Sequence, residues 1–391
     1  MSKLLEQINS TKTAKRLGDL VFINQSSIMN GFPYNEIEYI DTASVTKNNF
    51  KKPQILNTVE APSRAKRLLK DRDTLLSTVR PSLCHYGFIK NPKPNTVAST
   101  GFVVLTPKNI DPFYLYSYLT QDSITATLSS IAEATTTTFP AFRPEVLTEM
   151  EIDIPDLPTQ KKIAEILSAY DAKIENNNKI IKNLEATAQA IFNEWFINFR
   201  FPGYKKVKMV EGEIGEIPEG WKVFKLKDIF TFVKGKKPNE VSEIQKENFL
   251  QQILIDSFEN GKKLYADKDG MVIASEDDLL MVVDGASSGR VEFGITGIVG
   301  STMSKLQLHK PVRSVLYFYL KSKEQDIKNN TSGSAIPHTD KEKVYGYEIA
   351  LPKNTDYIEK ILLSFIKGVE KLNHENISLK QSRDQLLAKL I

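Results

Sequence analysis

His85, His309, His338, His374 and the lone Cys84 are the side chains best able to ligate a metal or attack a substrate, and their spacing suits neither task. No two histidines recur at ligand intervals, and the adjacent Cys84-His85 reads as a packed pair. Asp71-Arg72-Asp73 and Asp277-Asp278 could supply paired carboxylates, but each precedes an apolar run and reads as the polar start of a strand. Gly285-Ala286-Ser287-Ser288-Gly289-Arg290 is too short for a phosphate loop and lacks its Lys-Ser/Thr ending, so a glycine-rich turn is expected. The Asp/Asn-Pro-Pro-aromatic motif of amino-methyltransferases is absent, as is a glycine-rich cofactor loop after a strand. The chain therefore reads as non-catalytic, without a cofactor or metal of its own.

What remains is the chemistry of contact. Lys, Arg and hydroxyls position phosphates, and Arg, Lys, Asn, Gln, Ser and Thr read base edges. In the first half, candidates for DNA contact are Lys47, Lys51 and Lys52, then Arg64, Lys66 and Arg67, then Thr136, Thr137 and Arg143 in a hydroxyl-rich loop. In the second half they are Lys234, Lys236 and Lys237 around Gly235, and Ser287, Ser288 and Arg290 in a turn. Ser332, Ser334, His338 and Lys341 complete the set, in a loop that matches residues 135–143. Any single lysine among them would suit an ordinary solvated surface equally well.

The elements that must carry these residues occur twice. Leu115-Tyr116-Ser117-Tyr118-Leu119 precedes Pro140, Glu151-Ile152-Asp153-Ile154-Pro155 and a heptad helix, just as Leu316-Tyr317-Phe318-Tyr319-Leu320 precedes Pro337, Glu348-Ile349-Ala350-Leu351-Pro352 and another. Residues 16–23 are echoed by 225–232. Short runs around residues 20–23, 79, 102–105 and 151–154 read as strands, and residues 113–131 have helical spacing. Thr159 is the expected N-cap of a helix running to about Phe199. Residues 204–220 read as a linker, and the second globular unit is expected to begin at Trp221.

Ile163, Leu167, Tyr170, Ile174, Asn177, Ile181, Leu184, Ala188, Ile191 and Trp195 alternate steps of four and three, the seam of a coiled coil. Ile358, Leu362, Phe365, Val369, Leu372, Asn376, Leu379, Arg383, Leu386 and Leu390 repeat it, with Arg383 as the clearest lapse. Because a globular unit precedes each helix, an antiparallel pair would place a unit at either end of a spacer about 50 Å long. In the register that opposes Ile163 to Leu390, Asn177 faces Asn376. Such two-fold pseudo-symmetry suits duplex DNA.

The chain has 391 residues, enough for two cores, and 52 basic against 48 acidic residues, a bias of +4 that permits a nucleic-acid partner without requiring one. Hydrophobic residues are 41% and charged residues 26%, ordinary for a globular protein. No run is long enough to span a bilayer and no leader is evident, so a soluble cytoplasmic protein is expected. One cysteine fits a reducing compartment.

The boundary stretch Ile152-Asp153-Ile154-Pro155-Asp156-Leu157-Pro158-Thr159-Gln160-Lys161-Lys162-Ile163-Ala164-Glu165-Ile166-Leu167 resembles the specificity subunit of type I restriction–modification systems. So does Ile217-Pro218-Glu219-Gly220-Trp221 with Leu226 and Asp228. So do the loops Thr138-Phe139-Pro140-Ala141-Phe142-Arg143-Pro144 and Gly333-Ser334-Ala335-Ile336-Pro337-His338, and the likeness covers essentially the whole chain. The first unit departs by starting with Leu4, Leu5 and Ile8, read as a short helix, and residues 352–357 lack the Gln-Lys-Lys run.

The resemblance implies an α+β protein: two pseudo-symmetric α/β target-recognition domains separated by a two-helix antiparallel coiled coil. Their expected limits are 1–158 and 200–353 (the latter with its linker), with the central helix at 159–199 and the distal helix at 354–391. It implies reading of a bipartite double-stranded DNA target, docking of two methyltransferase (modification) subunits, and addition of restriction/translocase subunits for cleavage. S-adenosylmethionine would then bind the methyltransferase partner and no cofactor this chain. The competing reading is a two-headed protein-interaction scaffold without DNA binding.

Overall fold

The computed structural model describes residues 6, 8, 10–29, 31–135, 140–258, 263–333 and 336–391. The chain forms two compact units, Met1–Asn176 with Glu375–Ile391, and Asn177–His374. Both are α+β. Among the described residues no helix is long and apolar enough to cross a membrane.

In the first unit Thr13–Arg16 pairs antiparallel with Glu151–Ile154, setting Arg16 against Glu151. The helical turn Leu17–Leu20 follows, with Leu17 N donating to Met150 O at 2.9 Å. A four-stranded sheet then runs in the order Val21–Ile23, Phe102–Pro107, Thr74–Ser77, Tyr86–Phe88. A second sheet is ordered Gln54–Asn57, Glu36–Ile40, Thr96–Ser99, Ala65–Leu68, with its two middle strands parallel.

The second unit repeats this. Lys222–Lys225 pairs with Glu348–Leu351, setting Lys225 against Glu348, and Leu226 N donates to Tyr347 O at 2.9 Å. Its first sheet is ordered Phe230–Lys234, Met303–Leu308, Leu279–Val282, Val291–Phe293. The second adds Val241–Ser242 outside an equivalent four: Tyr265–Asp267, Phe249–Ile253, Gly297–Val299, Ile273–Ala274.

The continuous apolar run at residues 102–105 has a physical cause. Successive side chains of a strand point to opposite faces, and both faces here meet a core. Val103 and Leu105 enter one cluster with Leu76, whereas Phe102 and Val104 enter another with Leu75. In the second unit Leu279 and Met281 divide from Leu280 and Val282 in the same way.

The long helices span Leu157–Phe192 and Asp356–Leu390. Each ties its start to the N-terminus of an earlier helix. Gln160 Oε1 accepts from Asp111 N at 2.9 Å, ahead of Pro112–Leu119. Glu359 accepts from Ser314 N and Val315 N, both at 2.9 Å, at the start of Arg313–Asn329. Burial pushes the Glu359 carboxyl up although these donors oppose it.

Every seam position, from Ile163 to Trp195 and from Ile358 to Leu390, is buried or half-buried, and Asn177 and Asn376 are both buried. In the first unit Ile163, Ala164 and Leu167 pack in one cluster with Leu386 and Leu390, Asp171 meets Arg383, and Lys173 meets Glu375. Partner numbers fall as residue numbers rise, so the facing segments are antiparallel. In the second unit Leu184 lies against Gly368, and Trp195 stacks on Tyr357 with ring centroids 6.1 Å apart, again antiparallel. Arg383 is tolerated in the apolar seam because its guanidinium reaches Asp171 Oδ1 at 2.6 Å.

Several sequence expectations change. The helix begins at Leu157, and Asp156 is the residue whose carboxylate accepts Thr159 N at 3.0 Å; Thr159 itself is fully buried inside the first turn. The 113–131 helix is two, Pro112–Leu119 and Asp122–Thr135. The expected linker contains the hairpin Met209–Gly212 with Gly215–Pro218. Val79 forms a single bridge to Ala141 and no strand. The first long helix ends in a wider turn, Asn193–Ile197, which turns Phe192 and Phe196 into the second unit's core. Leu4 and Leu5 lie outside the described residues, and Ile8 is buried.

The Arg383–Asp171 pair is partly shielded, with side-chain exposures of 31% and 16%. Arg383→Met should lower stability by about 1–3 kcal/mol, since Asp171 is left charged and unpaired. Adding Asp171→Leu should restore most of the loss, as read from urea midpoints of the two variants.

Candidate nucleic-acid interface

Both units end a central strand in the same turn. In the first, Ser77 N donates to His85 O at 2.8 Å, Arg80 N to Pro140 O at 2.8 Å, and Phe142 N to Thr78 O at 3.1 Å. In the second, Val282 N donates to Arg290 O at 2.9 Å, Gly285 N to Pro337 O at 2.9 Å, and Thr339 N to Val283 O at 2.8 Å. The proline-containing loops that the sequence matches are therefore clamped to equivalent turns. Left-handed backbone falls at equivalent places too: Arg80 (φ 47°) and Cys84 (φ 54°) correspond to Gly285 (φ 106°) and Gly289 (φ 91°).

A hairpin, Val45–Thr46 with Asn49–Phe50, docks on the first turn. Its tip, Lys47 and Asn48, is left-handed, with Lys47 N donating to Cys84 O at 2.9 Å and Asn48 Oδ1 accepting from Phe88 N at 2.8 Å. On another side Thr78 N donates to Gly101 O at 3.0 Å, and Thr100 N to Arg64 O at 2.8 Å. Lys47, Arg64, Arg80 and Arg143 are thus gathered around one turn by its backbone partners, and all four are exposed. Lys51 and Lys52 are exposed beyond the hairpin, Lys66 is exposed on an edge strand, and Arg67 beside it is half-buried. Burial pushes the Cys84 thiol up against the opposing pull of Lys47. Thr136 and Thr137 lie outside the described residues.

The second turn centres on Asp284. Its carboxylate accepts from His338 Nδ1 at 2.7 Å and pairs with Lys234 Nζ at 3.1 Å. Partial burial works against the charged form, but these two partners outweigh it and hold the carboxyl below the usual carboxylate range. Ser332 joins through reciprocal backbone hydrogen bonds with His338, at 2.9 and 2.7 Å. Ser288 is buried, and its hydroxyl donates to Gly285 O and Pro337 O, so it serves the turn itself. Arg290 is turned to Glu292, Nε to Oε1 at 2.7 Å, while Ser287 is half-buried. Lys236 donates to Gly270 O at 2.9 Å, Lys237 is exposed, and Lys341 lies over the Phe232 ring at 5.3 Å. Ser334 lies outside the described residues.

Sequence reasoning missed Arg80 and Asp284. Each stands beside a turn-forming residue, Arg80-Pro81 and Asp284-Gly285, a signal that could have found them. Among the described residues no cluster of His, Cys, Asp and Glu could hold a metal ion.

The model of the type I restriction modification DNA specificity domain matches residues 9–186 and again 218–381. The chain is 36% identical over 168 residues to the type I restriction enzyme HindI specificity subunit of Haemophilus influenzae, covering 42% of this chain and 37% of that protein. It is 30% identical over 193 residues to the MjaVIII specificity subunit of Methanocaldococcus jannaschii, covering 48% and 45%. The chain thus spans less than half the length of these two relatives. With the MjaIX specificity subunit of the same organism it is 26% identical over 348 residues, 82% of this chain and 77% of that one. The crystal structure of a type I restriction–modification S subunit from M. genitalium shares the fold, with a TM-score of 0.57 at 18% identity over 97% of this chain and 96% of that chain.

A Cβ on Gly235 would lie 2.2 Å from Gly300 O and 2.4 Å from Val299 O. Gly235→Ala should therefore destabilise the protein by about 1–3 kcal/mol in thermal melts, although the three lysines around it are untouched. The depressed Asp284 carboxyl gives a pH prediction. The link to Lys234 and His338 adds stability above the ordinary carboxylate range and loses it only as pH falls through the lowered value. Carbon-detected NMR titration should find the Asp284 midpoint below that of exposed aspartates; a midpoint at or above theirs would contradict the geometry.

Proposed function

Because the chain belongs to the type I restriction–modification DNA specificity family, we propose that it is the DNA-reading subunit of a modification complex, with one half of a bipartite target read by each unit. Members of the family are specificity subunits and are not themselves catalytic. The observation that carries the reading is the duplicated polar turn, Arg80 on Pro140 in one unit and Gly285 on Pro337 in the other. A surface built twice to one plan suits a ligand whose backbone repeats, and duplex DNA is such a ligand.

Two methyltransferase subunits dock along the long helices, whose exposed faces carry many charged residues, and restriction/translocase subunits join for cleavage. S-adenosylmethionine belongs to the methyltransferase partner, and the complex works in the cytoplasm. Lys47, Lys51, Lys52, Lys236 and Lys237 contact phosphates, which position the protein without reading sequence.

Deleting the gene should abolish methylation at one split sequence throughout the host genome, and restoring it should return that methylation. Methylation unchanged by deletion would reject the assignment. Replacing Lys51 and Lys52 by Ala should weaken binding to all sequences alike and reduce the slope of log affinity against log salt by roughly one per lysine.

A further inference from the structure

We propose that His338 reads the exocyclic amino group of a base in the half-site of the second unit, through an Nε2 lone pair that Asp284 positions. The inference rests on the DNA-reading function proposed above and adds a specificity-determining residue to it. The duplicated turn shows what the fold itself needs at this place. The first unit builds the bridge beside its proline loop from Val79 and Ala141, and the second builds the equivalent bridge from Asp284 and His338. Matching backbone hydrogen bonds flank both, Arg80 N on Pro140 O in one and Gly285 N on Pro337 O in the other. Two apolar side chains suffice for the turn, so the carboxylate and the imidazole have a task beyond it.

The geometry decides which ring nitrogen carries the proton. Against the pull of partial burial, Asp284 is held ionised by His338 Nδ1, 2.7 Å from Oδ1, and by Lys234 Nζ, 3.1 Å from Oδ2. An ionised carboxylate can only accept, so Nδ1 bears the hydrogen, and in the neutral ring Nε2 is an acceptor. The ring is fixed on its other edge as well, where a Cβ on Gly333 would lie 3.2 Å from His338 Cδ2. Its backbone is held by reciprocal hydrogen bonds with Ser332 and by the neighbouring Thr339 N on Val283 O. Among the described residues Nε2 has no partner, and the His338 side chain is 51% exposed. A phosphate diester has no hydrogen to give to a lone pair. The base donors of the major groove are the N6 amino group of adenine and the N4 amino group of cytosine, so one of these is the group read.

The test uses the full chain in its host, with methylated bases mapped across the genome, and the chain assembled with the proposed methyltransferase partner for binding to the mapped target. Wild type should define a split sequence. His338→Ala copies Ala141 of the first unit, so its thermal midpoint should stay close to that of wild type. It should relax one position in one half of the target, by ~3- to ~10-fold, and leave the other half intact. Removing the amino group at that position, with purine for adenine or pyrimidin-2-one for cytosine, should weaken the wild-type complex by a similar factor and the His338→Ala complex no further. Asp284→Val, which copies Val79, should relax the same position and move the ring proton to Nε2 in long-range nitrogen NMR spectra. An unchanged motif would overturn the proposal, as would an analogue that weakens both complexes equally or a neutral wild-type ring already protonated on Nε2. A loss spread evenly over all target variants, the signature of a phosphate contact, would overturn it too. A wild-type chain that directs methylation to no split sequence would instead overturn the DNA-reading function itself, and this assignment with it.

Discussion

Each unit closes its core with segments that lie far apart in the sequence. The first draws Ile163 and Leu167 from the start of one long helix and Leu386 and Leu390 from the end of the chain. The second draws Ala188 and Phe192 from the end of that helix and Ile358, Leu362 and Ile366 from the start of the other. Fixing such distant segments together has an entropic cost that their apolar burial must exceed. Both long helices are therefore structural parts of both units, and a change in either helix is felt by the sheets that carry the turns.

Within each unit, the path from sequence to candidate interface is short. A central strand buried on both faces holds its C-terminal end rigid. That end passes directly into the turn carrying Arg80 or Asp284, and a loop from beyond the helices is clamped to it through Pro140 or Pro337. The two copies use this frame differently. One presents a strained arginine with a lysine hairpin beside it, and the other presents a carboxylate that pairs with Lys234 and His338. A common scaffold with unlike side chains at its tips fits a protein whose two halves meet different sequences.

The sequence revealed the duplication, the heptad seams and the equivalence of the two proline loops, because each depends on local pattern: period for the helices, fixed spacing for the prolines. It misplaced features set by single hydrogen bonds. Thr159 looked like a cap, yet Asp156 does the capping because its carboxylate reaches the Thr159 N–H. Arg383 reads as a lapse in the seam by pattern alone, but Asp171 lies within hydrogen-bond reach of its guanidinium. Among the contact candidates, Ser288 is consumed by its own turn and Arg290 by Glu292, which spacing alone could not foretell. Arg80 is marked in the sequence only by the proline that follows it, since left-handed backbone at a non-glycine residue leaves almost no trace in composition.

The most direct test of a two-reader molecule is a hydroxyl-radical footprint of the chain, assembled with the proposed methyltransferase partner, on DNA containing the methylated sequence. Two protected blocks of similar length, separated by an unprotected gap, are expected, with one block weakened when Lys236 and Lys237 are both replaced by Ala. A single continuous block, or protection that ignores sequence, would contradict the account.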